Sequence, residues 1–423
     1  MKPKPTVAEL SKLFSLVFPD EGVAEMAATM TEHFPGMSSD NWLSTRDPDS
    51  HELVSALTYI PHDIRIGGIA VPTWEQGIVG THPEHRGRGH VRELNRQLDE
   101  LAAEQHIDLI IIQGIPGFYG RFGYRYAMEL ENQINLPLEK IAEKDAGNNP
   151  SAGSALRFRE ATSQDVAFLL SEQERQLPDY DIVNVRGAGH YEYLLQHAKE
   201  TESECHIYIG EADSPTGLEP ACYVRVHRHG FGEGLNVQEF SEHCSDGQLE
   251  SLLVFLAGLA AERNKPYIRF DVCRRSDAAE RLFARGARTS WYYGWQVKIP
   301  DPARFIARLL PVFERRLDGP SGVEAAGVLR LEWSAGPNTV AGRVELRLHA
   351  GSIVLHLPEG EESTEPKWVV AVPYDLFAPL LLGWRPWREM QQLRPDLFVN
   401  GPDSEALIDV LFPPLKCRVY PEL

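Results

Sequence analysis

The sequence predicts an α+β protein assembled from α/β units, each a mixed sheet with flanking helices. Three observations predict it. A strand, a glycine turn, an amphipathic helix and a second strand follow one another between Gln76 and Gln113. The same order recurs more weakly between His206 and Cys273. The stretch from 301 onward mixes helices with strands of period-two apolar patterning. A length of 423 residues suits about three domains at ~150 residues each.

The elements follow from local pattern. Val7, Leu10, Phe14 and Val17 recur at helical spacing behind Thr6 as a cap, which predicts a helix to Phe18. Leu53 to Tyr59, Ile64 to Val71 and Gln76 to Thr81 read as strands. Val91, Leu94, Leu98 and Leu101 place a helix over 90–105, and Ile107 to Gln113, closed by Gly114, reads as a buried strand. Breakers cluster at 146–154 and again at Ile299-Pro300-Asp301-Pro302, with a further break over 318–322. They divide the chain into pieces at 1–145, 150–300 and 301–423. In the middle piece His206 to Gly210, Ala221 to His227, Leu235 to Phe240 and Tyr267 to Cys273 read as strands. Leu249 to Ala261 and Ala278 to Arg285 read as its helices, and 213–217 as a polar loop. In the last piece Ala303 to Leu317 and Asp403 to Leu411 read as helices, Val344 to Leu348 and Ile353 to Leu357 as strands.

Composition excludes several classes of function. Hydrophobic residues at 43% and charged residues at 24% describe a globular chain, not a disordered one. The formal charge of −19 repels phosphate backbones, so nucleic acid is excluded as a general partner, and it favours cationic ones. No apolar run reaches the ~18 residues of a membrane span. The start lacks a secretory pattern, and the five cysteines are odd in number with no CxxC pair. A cytoplasmic protein without disulfide framework or metal is expected. His82, His85 and His90 crowd one turn but lack the spacing of a metal site. Trp291, Tyr292, Tyr293 and Trp295 read as a packing cluster.

One turn carries chemistry. Residues 79–91 read VGTHPEHRGRGHV. Arg86-Gly87-Arg88-Gly89-His90 leads from a strand end into the 90–105 helix, where unpaired N–H groups and the helix dipole suit a pyrophosphate. Within 86–96 four arginines (Arg86, Arg88, Arg92, Arg96) face Glu93 alone. On spacing alone, an ordinary glycine turn with a solvated basic helix start fits equally well. The spacing is neither that of a P-loop nor GxGxxG.

After the buried strand comes Gly117-Phe118-Tyr119-Gly120-Arg121-Phe122-Gly123-Tyr124. R-x-x-G before a helix, then a strand, then FYxxxG[FY], resembles the GNAT superfamily of N-acetyltransferases. The string YGRFGY, Arg86-Gly87-Arg88-Gly89 and the long C-terminal extension resemble its Eis-like members, with Val91 standing where the wider superfamily has Gly or Ala. Leu380 to Gly383 and Ala406 to Phe412 resemble the third domain of those chains. The resemblance implies two GNAT-type domains, the second degenerate, and a sterol-carrier-protein-like C-terminal domain.

It also implies an acetyl-CoA-dependent N-acetyltransferase acting on the amine of a cationic small molecule, aminoglycoside-, polyamine- or lysine-like, in a homo-oligomer, a hexamer. Arg86, Gly87, Arg88, Gly89, His90 and Val91 then hold the pyrophosphate. Val79, Thr81 and Gly114 line the acetyl-pantetheine arm, where a backbone N–H steadies the oxyanion. Tyr119 matches the general acid for the departing sulfur; a phenol near pKa ~10 suits that task. The terminal carboxylate of Leu423 matches the general base, against the reading of a terminus docked for stability. Asp20, after the first helix, falls where the family lines its amine pocket with acids, against the reading of a solvated loop acid. In the middle piece Glu239 and Glu242 stand where the glycines would be and are expected to repel a pyrophosphate. The alternative to an enzyme is an apolar-ligand carrier with a non-catalytic GNAT scaffold.

Overall fold

The computed structural model describes residues 4–131, 133–145, 156–228, 232–290, 292–319, 326–357 and 365–421. The chain opens with α1 (Val7–Val17) and α2 (Val23–His33). Thr6 caps α1 as the spacing predicts: its hydroxyl accepts from the Glu9 amide, and the Glu9 carboxylate accepts from the Thr6 amide at 2.9 Å. Glu9 also takes the Arg46 guanidinium, at 2.5 and 3.1 Å. The Arg46 hydrogen bond, against a smaller cost of burial, lowers the Glu9 carboxyl to about 2. A depressed acid stabilises the fold above its unfolded pKa and loses that contribution as pH falls through the folded one. Glu9→Gln should therefore cost about 1 kcal/mol at pH 7, discounted for partial exposure. In urea melts the gap should close between pH 4.5 and about 2; a gap that persists at the lower pH would contradict the assignment.

Next come β1 (Trp42–Arg46), β2 (Leu53–Ile66) and β3 (Ile69–Thr81). The sequence reading broke 53–81 into three strands; it is one long hairpin. Its turn is Gly67-Gly68, whose φ values of 53° and 81° are those a tight hairpin needs. α3 (His90–Glu104) and β4 (Leu109–Ile112) follow, then β5 (Arg125–Glu131) and β6 (Ile134–Pro137).

The described strands form three sheets. The first has eight strands and runs Cys417–Arg418, Ile182–Asn184, β2, β3, β4, Tyr293–Lys298, β5, with β1 also on β2. It takes strands from all three pieces expected from the breaks. The second sheet holds β6 beside Tyr267–Phe270, Leu235–Phe240, Gly217–His227 and Cys205–Ser214. So β6 leaves the first piece for the second sheet, and Tyr293–Lys298 makes the opposite exchange. The third sheet, Ser352–His356 to Phe398–Asn400, packs against the helix Pro302–Leu317 and shares one continuous apolar core with the first. The first sheet curls until its edges meet, with Cys417 Sγ 3.7 Å from the Glu129 carbonyl.

The middle and last helices fall within a few residues of their predicted bounds, at Asp246–Glu262, Asp277–Phe283, Pro302–Leu317 and Ser404–Leu411. All five cysteines are free thiols. Among the described residues no helix is long and apolar enough to cross a membrane, and no group of three or more His, Cys, Asp or Glu is placed to hold a metal.

Candidate active site

The site is built on a fork. β3 and β4 pair in parallel at only three positions, Thr73 with Leu109, Trp74 with Ile110 and Glu75 with Ile111. Beyond Glu75, β3 continues beside β2 to Thr81 while β4 follows Tyr293–Lys298. The two neighbouring strands thus separate, leaving β3 backbone groups facing an opening. Ile78 is an extra residue in the β2–β3 register, since Leu57 faces Val79 and Thr58 faces Gly77. Such a bulge re-aims the backbone, here on the arm of the fork. Val79 packs against the core under α3, and Thr81 Oγ1 lies 2.8 Å from Ser55 Oγ.

The predicted turn stands at the mouth of this fork. Gly87 and Gly89 have φ of 76° and 85°, a left-handed backbone open to Gly and strained for other residues. Gly89 is the N-cap of α3, without a side-chain cap, so the first amides of the helix point outward unclaimed. Arg86, Arg88 and Arg92 are exposed, whereas Arg96 is answered by Glu93 and Glu100. Arg88 Nη2 donates to the Glu84 carbonyl at 3.0 Å, which folds it over the 82–85 loop. His90 Nδ1 lies 2.9 Å from Thr45 Oγ1, and its Nε2 is buried without a partner. Burial, then His85 and Arg88, lower the His90 pKa, against a smaller opposing effect of Asp47. Val91 packs into the core with Leu94 and Leu98.

Tyr119 sits across the fork, beyond β4. Its ring lies on Gly114: a Cβ there would come 2.3 Å from Tyr119 Cδ2, so only glycine admits the ring. The Gly114 carbonyl is held by Gln296 Nε2 at 2.6 Å and by the Tyr293 hydroxyl. Phe118, Phe122 and Tyr124 surround the ring at centroid distances of 4.9, 6.2 and 5.9 Å. Tyr119 is 6% exposed. Burial first, then Tyr293, push its phenol well above the ordinary value. The expectation of a phenol near ~10 is corrected upward: the group holds its proton throughout the neutral and alkaline range.

Polar side chains line the base of the fork. Glu75 Oε2 is 2.9 Å from His62 Nε2, both side chains 1% exposed, and Glu75 Oε1 accepts from Gln113 at 3.4 Å. The Tyr124 hydroxyl donates to Gln76 Oε1 at 2.5 Å. Sequence spacing pointed to none of these, nor to Tyr293 and Gln296, which arrive from about 180 residues away. The aromatic cluster at 291–295 was the available signal, and it read only as packing.

The carboxyl-terminal segment reaches the same sheet. Trp295 Nε1 donates to the Val419 carbonyl at 3.0 Å, and Asn184 bonds both the Tyr420 amide and carbonyl, at 3.1 and 3.2 Å. Arg418 and Tyr420 enter a buried polar network with Tyr180, Arg186, Glu239 and Glu242. Leu423, the residue expected to supply a base, lies outside the described residues. Asp20 is exposed, at φ 63°, in the turn between α1 and α2. Phe14 and Val17 set α1 over Gly80 on the fork arm. Beside that turn Glu202 donates its amide to the Gly22 carbonyl at 3.4 Å, and burial, with Glu21, pushes its carboxyl up.

The middle unit differs from its expected electrostatics. Glu239 is 0% exposed and grips Arg186 at 2.6 and 2.7 Å and Arg225 at 2.7 Å. It repels nothing at a surface; its charge is spent inside. The carrier alternative is not favoured either. The cavity beside the third sheet, lined by Trp333 and Phe377, holds about 20 Å³, room for about one water.

Residues 4–127 match the family model of an acetyltransferase (GNAT) domain. No curated protein sequence matches the chain. Solved structures similar in fold include a GCN5-related N-acetyltransferase from Anabaena variabilis, 17% identical, covering 98% of each chain with a TM-score of 0.66. A probable N-acyltransferase from Enterococcus faecalis is 14% identical, covering 98% of this chain and 96% of that one at 0.68. Eis1 from Mycobacterium abscessus is 15% identical, covering 96% and 95% at 0.57. At such identities the likeness concerns the fold. The match over residues 4–127 thus supports a GNAT acetyltransferase domain in the amino-terminal region, and with it a transferase.

Proposed function

We propose that the chain transfers an acetyl group from acetyl-CoA to the amine of a cationic small molecule. The observation that carries the reading is the fork between β3 and β4, flanked by the glycine turn on one side and Tyr119 on the other. The fit to the donor rests on an uncapped helix start behind two left-handed glycines. Arg86, Gly87, Arg88, Gly89, His90 and Val91 would hold the pyrophosphate through backbone amides and exposed guanidinium groups. Val79, Thr81 and Gly114 would line the arm of the donor. The donor supplies an activated acyl carbon: its C–S bond breaks as the C–N bond to the amine forms.

The chain's residues manage the protons. Tyr119 would deliver its phenolic proton to the departing sulfur; burial keeps the group protonated but makes it a weaker donor than a free phenol, so the proton moves only as charge builds on the sulfur. The anchoring of residues 417–420 on the first sheet supports the Leu423 carboxylate as acceptor of the amine's proton. Asp20, with Glu21 beside the same turn, would attract a cationic acceptor of aminoglycoside, polyamine or lysine type. We further read the three sheets as a CoA-binding GNAT unit, a degenerate second unit and a sterol-carrier-like third unit. A cytoplasmic homo-oligomer, a hexamer, completes the reading.

Calorimetric titration should give one CoA site per chain, and a second site would sink the degenerate-copy reading. Gly89→Val forces a branched residue to φ 85°, a strain of about 1–3 kcal/mol at the cradle. It should weaken CoA binding about tenfold or more; unchanged affinity would remove the turn from the donor site.

A further inference from the structure

Beside Tyr119's support lies a cavity of about 330 Å³, of a size for a small ligand. Tyr293 forms one wall, and its hydroxyl holds the Gly114 carbonyl under the Tyr119 ring. Tyr292 and Trp384 give further apolar wall, with Tyr126 set edge-on to Trp384 at 5.7 Å. The charged lining is unusual in so acidic a chain, since it holds more arginine than acid. Glu129 is matched by Arg275 at 3.6 Å, and Glu389 by Arg385 at 3.9 Å. Arg274 is exposed, lies over the Tyr292 ring at 5.4 Å, and forms no ion pair among the described residues. Arg275 is tied to the Leu415 carbonyl at 2.8 Å, yet its Nε is buried without an acceptor.

A wall with a surplus guanidinium, that of exposed Arg274, calls for an anion, and the rings call for an apolar body beside it. A polycation would meet repulsion here. We propose that this cavity holds the carboxylate end of the acceptor, which is an amine carrying a carboxylate at the far end of an apolar chain. This rests on the acyl-transfer reading above and narrows it to the amino-acid-like end of the amine class. Arg274 is the specificity residue, and Tyr293 links the cavity to Gly114 and Tyr119.

The test compares 6-aminohexanoate with hexylamine, which have the same chain length with and without the carboxylate. Both are titrated calorimetrically into the full-length chain, and both are assayed by thiol release from acetyl-CoA. The carboxylate-bearing amine should be preferred about tenfold in binding and in kcat/KM, the scale of a charge-assisted hydrogen bond. Arg274→Gln should bring the preference close to one, and Arg274→Lys should restore part of it. Equal or tighter binding of hexylamine or spermidine by the unmodified chain, or an unchanged preference in Arg274→Gln, overturns the proposal. Preferential binding of 6-aminohexanoate without thiol release from any amine would leave the cavity assignment standing and overturn the acyl-transfer reading instead.

Discussion

Tyr119→Phe should lower kcat by about 10²–10⁴-fold, the range a positioned general acid supplies, while leaving CoA affinity within about twofold. The ring is held by Gly114, Phe118, Phe122 and Tyr124, so loss of the hydroxyl leaves the packing in place. Stopped assays with acetyl-CoA, paired with CoA titration, separate the two effects; unchanged turnover would remove Tyr119 from the chemistry. Gly114→Ala should reproduce the defect by another route, because the added carbon displaces the ring. The pH profile gives an independent reading. Burial and Tyr293 raise the phenol's pKa, so Tyr119 should produce no falling alkaline limb below about pH 10. A limb near pH 8–9 that disappears in Tyr119→Phe would contradict the burial argument.

Glu239→Gln should destabilise the chain by about 3–5 kcal/mol, because it leaves Arg186 and Arg225 with uncompensated charge in the interior. Both guanidinium groups are 2% exposed or less. Burial opposes ionisation of Glu239, but the two arginines outweigh it and hold the carboxyl far below its usual range. Arg186 also lies over the Tyr420 ring at 5.0 Å, so the loss should loosen the carboxyl-terminal segment. Urea unfolding at pH 7 measures the first effect, and the rate of carboxypeptidase trimming the second. A cost below about 1 kcal/mol would show that the network is far better solvated than its burial indicates.

The candidate site was legible where its signals are local. Val91, Leu94, Leu98 and Leu101 foretold α3, and Gly87 and Gly89 foretold the turn before it, whose positive φ the structure adds. Tyr119 stood out only through the resemblance of its motif to the GNAT superfamily. The hairpin 53–81 was harder, since Pro61 and Pro72 interrupt its pattern while the true break is Gly67-Gly68. Arginine content at 86–96 overstated the free charge, because Arg96 meets Glu100 one helical turn on. Glu239, expected to repel a pyrophosphate, is neutralised in the interior, and its partner Arg186 lies 53 residues away.

What the sequence by itself determined is therefore a set of short-range facts: helices and their caps, the glycine turn, the tyrosine motif and an acidic composition. These depend on interactions within a turn or two of chain, which periodicity and spacing record directly. What only the tertiary structure decided is the company those residues keep. Tyr293 and Gln296 reach Gly114, β6 crosses into the second sheet, Arg418 and Tyr420 dock by the middle unit, and Arg274 faces a cavity. Such pairings join residues distant in sequence. They are selected by the burial of whole faces against one another, which no local window of residues encodes.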